Sequence, residues 1–82
     1  MNTRDAAYMT GHSYPGGVPA LAARMGMDAR ELSHKLNPND AHTLSLDEAV
    51  VIMALTGDHR ILNTMASELG YVLTQHPDEA SK

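Results

Sequence analysis

Four side chains near the middle of the chain carry hydrogen-bonding chemistry at helical spacing. Arg30, Ser33, His34 and Asn37 fall at i, i+3, i+4 and i+7, so a helix gathers them into one uninterrupted polar stripe. Each type has a partner on the edge of a base pair. A guanidinium forks onto guanine, a hydroxyl donates or accepts, an imidazole donates to a purine edge, and a carboxamide pairs with adenine. A solvated face on any small helical domain presents the same stripe, and the residues alone leave both readings open. Lys35 lies to one side, one turn after Glu31; it faces either a phosphate or that glutamate. Gly17 opens a helix whose free N–H groups suit a phosphate, although a plain glycine-rich connection explains it equally well.

These side chains need a rigid pair of elements to hold them out. Residues 18–38, VPALAARMGMDARELSHKLNP, read as two short helices joined by a tight turn. Leu21, Ala22 and Met25 share one face of the first, and Leu32 and Leu36 share one face of the second. Helices that cross steeply need a small residue at the contact and a residue tolerant of left-handed dihedrals in the turn. Ala22 and Gly26 supply them. An alanine four residues before a glycine, with a core apolar residue six after it, is the pattern of a DNA-binding helix-turn-helix. A structural helical corner shares it. Asp28 is placed to cap the second helix, and Asn37-Pro38 to stop it.

Ahead of this pair, Thr3 is expected to cap a helix from about Arg4 to His12, with a thin apolar side of Ala6 and Met9 and either Tyr8 or Thr10 beside them. Tyr14-Pro15-Gly16-Gly17 ends it. Beyond the pair, Ser45-Leu46-Asp47-Glu48 forms a capping box, and the helix it opens runs to Thr56 before Gly57. Leu46, Ala49, Val50 and Met53 are expected to face inward there. Val51, Ile52 and Leu55 on the opposite side are as apolar, which calls for cover by the last helix or, in preference, by a second subunit. A last helix, about 59–69, is capped by Asp58 and buries Ile61, Leu62, Met65, Ala66 and Leu69. The expected organisation is one domain over 1–73 and a loose polar tail over 74–82.

Composition narrows the function. Eighty-two residues make one domain with a modest core, and with neither Phe nor Trp that core is built from Leu, Ile, Val, Met and Ala. Cysteine is absent, which removes disulfides and thiolate metal sites and points to a reducing cytoplasm. The five histidines are scattered, with no helical i, i+4 pair for zinc. There is neither a phosphate-cradling loop nor a nucleophile elbow, so no cofactor, no metal and no enzymatic activity are expected. No apolar run reaches the length of a membrane span.

The net charge of −4 opposes nucleic-acid binding, but it is unevenly spread. Residues 1–37 carry Arg4, Arg24, Arg30 and Lys35 against Asp5, Asp28 and Glu31, whereas the acidic excess lies in residues 38–82. One copy offers few cations, so any duplex binding leans on base contacts and oligomerisation.

Residues 5–38, DAAYMTGHSYPGGVPALAARMGMDARELSHKLNP, followed by HTLSLDEAVVIMALTGDHRILNTMASELG, resemble the phage regulatory protein CII family of P2-like and related prophages. Tyr14-Pro-Gly-Gly17, Leu32-Ser-x-Lys-Leu-Asn-Pro38, and Leu46-Asp-Glu-Ala49 through Leu55-Thr-Gly-Asp58 are its most specific pieces. The resemblance implies an all-α, five-helix domain similar to lambda repressor and sequence-specific binding to double-stranded DNA in the lysis/lysogeny switch. It also implies oligomers on repeated half-sites, with a reading helix over 28–36. His34 departs from the Asn expected at its place in many relatives.

The expectation is therefore a cytoplasmic transcription regulator. Arg30, Ser33 and His34 touch bases, while Gly17, Lys35 and Asn37 touch phosphates. Val51, Ile52 and Leu55 join a homodimer or homotetramer, and RNA polymerase is a further candidate partner. The alternative is a small helical adaptor that docks on a protein through the apolar helix 45–56, without DNA binding.

Overall fold

Asn2, not Thr3, opens the first helix, α1 (Thr3–Ser13): its side chain accepts from the Asp5 N–H at 2.8 Å. The computed structural model describes residues 1–76, and α1 is the post around which those residues are arranged. It packs against all four helices that follow: α2 (Gly17–Met25), α3 (Ala29–Leu36), α4 (Leu46–Thr56) and α5 (Arg60–Leu69). The described residues contain five helices and no strand, an all-α fold.

A helix with neighbours on every side must be thin where they approach. The buried residues of α1 are Ala6, Ala7, Thr10 and Gly11, whereas Met9, expected inside, is exposed. A Cβ on Gly11 would overlap Leu36 Cδ1, so this glycine is required by the closeness of α3 and not by its dihedrals.

The helix pair forms from local signals. Gly26 adopts φ +69°, its N–H reaches Ala22 O and Ala23 O, and Met27 N–H donates to Ala22 O at 3.0 Å. These bonds close the end of α2 as a Schellman turn. Asp28 then caps α3 by accepting from the N–H groups of Arg30 at 3.0 Å and Glu31 at 3.2 Å. Leu21, Ala22, Leu32 and Leu36 close the seam between the helices and join Ala6, Val18, Ile52 and Ile61 in the core.

α4 is rotated from its expected setting. Ser45 and Glu48 make the capping box, but Ala49 and Ile52 are the residues that go inside. Ile52 is fully buried, while Leu46 and Val50, expected inside, are 78% and 61% exposed. Ile52 therefore belongs to the core of its own chain and is withdrawn from the expected subunit interface. Leu55 is half-buried against the same core. Of that trio only Val51 is exposed, and it adjoins Leu46 and Val50 in an outward apolar arc.

The last helix buries Ile61 and Ala66, while Leu62 and Leu69 lie in water. Asp58 accepts from the Arg60 N–H at 3.1 Å, although His59 holds the cap position. Tyr71 to His76 follow without helix and are exposed. The remainder of the expected tail, residues 77–82, lies outside the described residues. No described helix is long and apolar enough to cross a membrane.

Candidate nucleic-acid interface

With Leu32 and Leu36 sealed inside, α3 has one rotational setting, and it turns Arg30, Ser33, His34 and Asn37 to the surface together. The cap at Asp28 and the apposition of Leu36 on Gly11 fix its start and its depth. The stripe read from spacing is thus one continuous exposed face.

Arg30 differs from every other cation of the described residues. Arg4 donates to the carbonyls of Asn37, Asp40 and His42. Arg24 donates to the Tyr14 hydroxyl at 2.7 Å and to Leu55 O at 3.2 Å. Arg60 pairs with Asp58 at 3.0 Å. Lys35 reaches Glu48 at 2.7 Å. Among the described residues, Arg30 is the only Lys or Arg whose side chain has neither a hydrogen bond nor an ion pair, and it stands at the N-terminal end of the exposed face of α3.

Two of the expected phosphate contacts are turned to other uses. The Lys35 ammonium bends toward α4, with Glu31 a second partner at 3.6 Å. Its pKa is raised, chiefly by the hydrogen bond to Glu48, and that of Glu48 is lowered by the same bond and by the Ser45 N–H. One carboxylate therefore completes the capping box and ties α3 to α4. The Gly17 N–H donates to Tyr14 O at 2.7 Å and is not free for a phosphate. Asn37 is exposed, although its Oδ1 accepts from the Asn39 N–H at 2.9 Å.

His34 is present on the face and is held by the loop that follows α3. Its Nδ1 lies 2.8 Å from Asp40 Oδ2. Asp40 also accepts from His42, through Nδ1 at 2.7 Å and the backbone N–H at 2.9 Å. These bonds hold the Asp40 carboxyl well below the usual carboxylate range, the His42 backbone N–H first among them. Sequence reading missed Asp40 and missed Arg4, which pins the loop carrying it. The acid between two histidines in Asp40-Ala41-His42 and the upstream His34 is a faint signal, and only the fold of the loop brings them together. A groove between α1 and α3, lined by Asp5, Tyr8, His12, Ser33, Asn37 and Asn39 among others, borders the same face. Among the described residues no cluster of three or more His, Asp or Glu is arranged to hold a metal ion.

A family model described as phage regulatory protein CII (CP76) matches residues 1–82. The chain belongs to the phage regulatory protein CII family. No curated protein matches it. The match runs over the whole length, so α1, the helix pair and the two helices after it all belong to the CII unit. Membership makes the chain a phage regulatory protein.

Proposed function

We propose that this CII-family chain regulates transcription by binding double-stranded DNA sequence-specifically in the switch between lysis and lysogeny. In this reading α3 enters the major groove, with Arg30, Ser33 and His34 toward base edges and Asn37 toward the backbone. α2 braces α3 from behind through Ala22 and the Gly26 turn. The observation that carries the reading is the unengaged guanidinium of Arg30, at the N-terminal end of a face whose other residues are hydrogen-bonding and exposed. A cation held out in water without a partner is ready to fork onto guanine.

One copy presents a single free cation among the described residues, too little for tight binding at ordinary salt. We infer that two or more copies bind together, joined through the outward arc of Leu46, Val50 and Val51 on α4. A symmetric pair places two α3 helices on half-sites about one helical turn apart.

The decisive experiment is a mobility-shift titration with the intergenic DNA of the prophage that encodes the chain. Arg30→Ala is expected to weaken the cognate site by about 1–3 kcal/mol and random DNA much less. Equal losses on both would reduce Arg30 to a non-specific phosphate contact. The apolar arc on α4 also favours a second reading, a protein adaptor. That reading prevails if no duplex shifts at low salt while a protein partner is captured and Val50→Asp abolishes the capture.

A further inference from the structure

Asp40 determines which nitrogen His34 can offer. The loop between α3 and α4 is anchored by Arg4, whose Nη2 donates to three of its carbonyls, those of Asn37, Asp40 and His42. That anchorage holds the Asp40 side chain, only 18% exposed, against two imidazoles. Oδ2 meets His34 Nδ1 at 2.8 Å, and Oδ1 meets His42 Nδ1 at 2.7 Å. The two rings are 5.9 Å apart. An ionised carboxylate has no hydrogen to give and only accepts, so each Nδ1 facing it must carry one. A neutral imidazole has a single N–H. With that hydrogen committed to Asp40, Nε2 of His34 keeps its lone pair. The His34 side chain is 54% exposed on the outer face of α3, and Nε2 has no protein partner among the described residues.

We propose that Asp40 is a specificity-positioning residue: it locks His34 as the Nδ1–H tautomer, so that neutral His34 accepts from the exocyclic amino group of adenine or cytosine. This rests on the DNA-binding reading above and adds the base class to it. Guanine offers only acceptors, N7 and O6, at its major-groove edge, and two acceptors face to face repel. Adenine N6 and cytosine N4 carry the hydrogens that Nε2 lacks. The ordinary expectation of histidine as a donor to a purine is thereby reversed. Protonating the ring puts a hydrogen on Nε2 as well and restores the donor. The charged and titratable groups around His34 are Asp40 and His42 from the loop, and Arg30 and Glu31 one turn earlier on its own helix. Lys35 is turned away to Glu48.

The test has one arm without DNA and one with it. In the free protein at about pH 8.5, where an imidazole is neutral, nitrogen-15 spectra are expected to show His34 protonated at Nδ1 and bare at Nε2. Asp40→Ala is expected to release the ring to a mixture with Nε2–H; a circular-dichroism melt checks that this variant is folded. The wild-type spectrum stands without any substitution, and Nε2–H there overturns the lock. In the second arm, operator duplexes altered one base pair at a time compete for the chain at the same pH. Adenine or cytosine is expected to be preferred about two- to tenfold at the position lost in His34→Ala, the worth of one net hydrogen bond. Asp40→Ala is expected to flatten that preference and leave the other positions unchanged. A guanine preference, or one untouched by Asp40→Ala, overturns the proposal. Failure to bind any duplex overturns the DNA reading and the base preference with it, and the nitrogen spectra distinguish that from a failure of the lock.

Discussion

The outer faces of α3 and α4 are built on the same plan and end in opposite chemistry. Each helix is short, begins at a side chain that caps its first N–H groups, and buries two residues: Leu32 and Leu36 for α3, Ala49 and Ile52 for α4. Outward, α3 shows Arg30, Ser33, His34 and Asn37, while α4 shows Leu46, Val50 and Val51. Water satisfies the first set almost fully. A partner gains there only by matching hydrogen bonds one for one, which gives discrimination and little net energy. The second set gains about 25 cal/mol for each Å² of apolar area covered, whatever the cover is. The proposed function, sequence selection with one unpaired Lys or Arg among the described residues, needs both: one face to choose, the other to bring copies together.

The comparison can be broken most severely at the core the two faces share. Leu36→Ala removes the side chain that rests on Gly11 and is expected to cost about 2–5 kcal/mol, read by urea unfolding. That is a large share of a small domain's stability, so selection and self-association should fail together. Either activity surviving in a chain without cooperative unfolding would show that its face does not depend on the fold.

The next largest effect separates the faces. Val50→Asp with Val51→Asp is expected to leave a monomer by light scattering and to weaken the cognate site while preserving its ratio to random DNA. Arg30→Ala should do the reverse, reducing that ratio without changing the mass. Both sites are exposed, so folding stability should stay within about 0.5 kcal/mol. A change of mass in Arg30→Ala would mean that the polar face also joins subunits.

Smaller still is the cap of α4. Ser45→Ala removes the acceptor for the Glu48 N–H, bonded at 3.0 Å, and should cost about 1 kcal/mol in thermal or denaturant unfolding. Acid has the gentlest expected effect. Glu48 and Asp40 have lowered pKa values in the folded chain, so the unfolded chain binds more protons on acidification. Their contribution is present above the ordinary carboxylate range and is lost as pH falls below about 5. Glu48→Gln should flatten part of that slope. Lys35, with its raised pKa, works at the other end: its contribution is lost as pH rises through the raised value.

What could be read in advance follows the range of the interactions. The α2–α3 turn, the Asp28 cap and the capping box all rest on bonds between residues at most five apart, and each was legible. The role of α1 was not. Periodicity weighs large apolar side chains, and a helix at the centre of four others needs their absence; Ala6, Ala7 and Gly11 look like a weak stripe and are the tightest one. Thr10 is buried there with its Oγ1 unpartnered among the described residues. The phase of α4 was misread because both of its arcs are apolar. Packing of Ile52, Met53 and Leu55 on the core leaves Leu46 and Val50 outside, with Glu48 held between Ser45 and Lys35.

By itself the sequence determined the helices, the caps at Asp28 and Ser45, the helix pair and the polar stripe, because those depend on neighbours a turn or two away along the chain. Tertiary structure alone decided which ring nitrogen His34 presents, where the charge of Lys35 is spent, and which side of α4 is left bare. Those outcomes hang on partners farther off: Asp40 six residues beyond His34 across a proline-bounded loop, Glu48 thirteen beyond Lys35, and Arg4 on another helix 33 residues before Asn37. A side chain's type states what it can bond, but the fold decides what stands within reach.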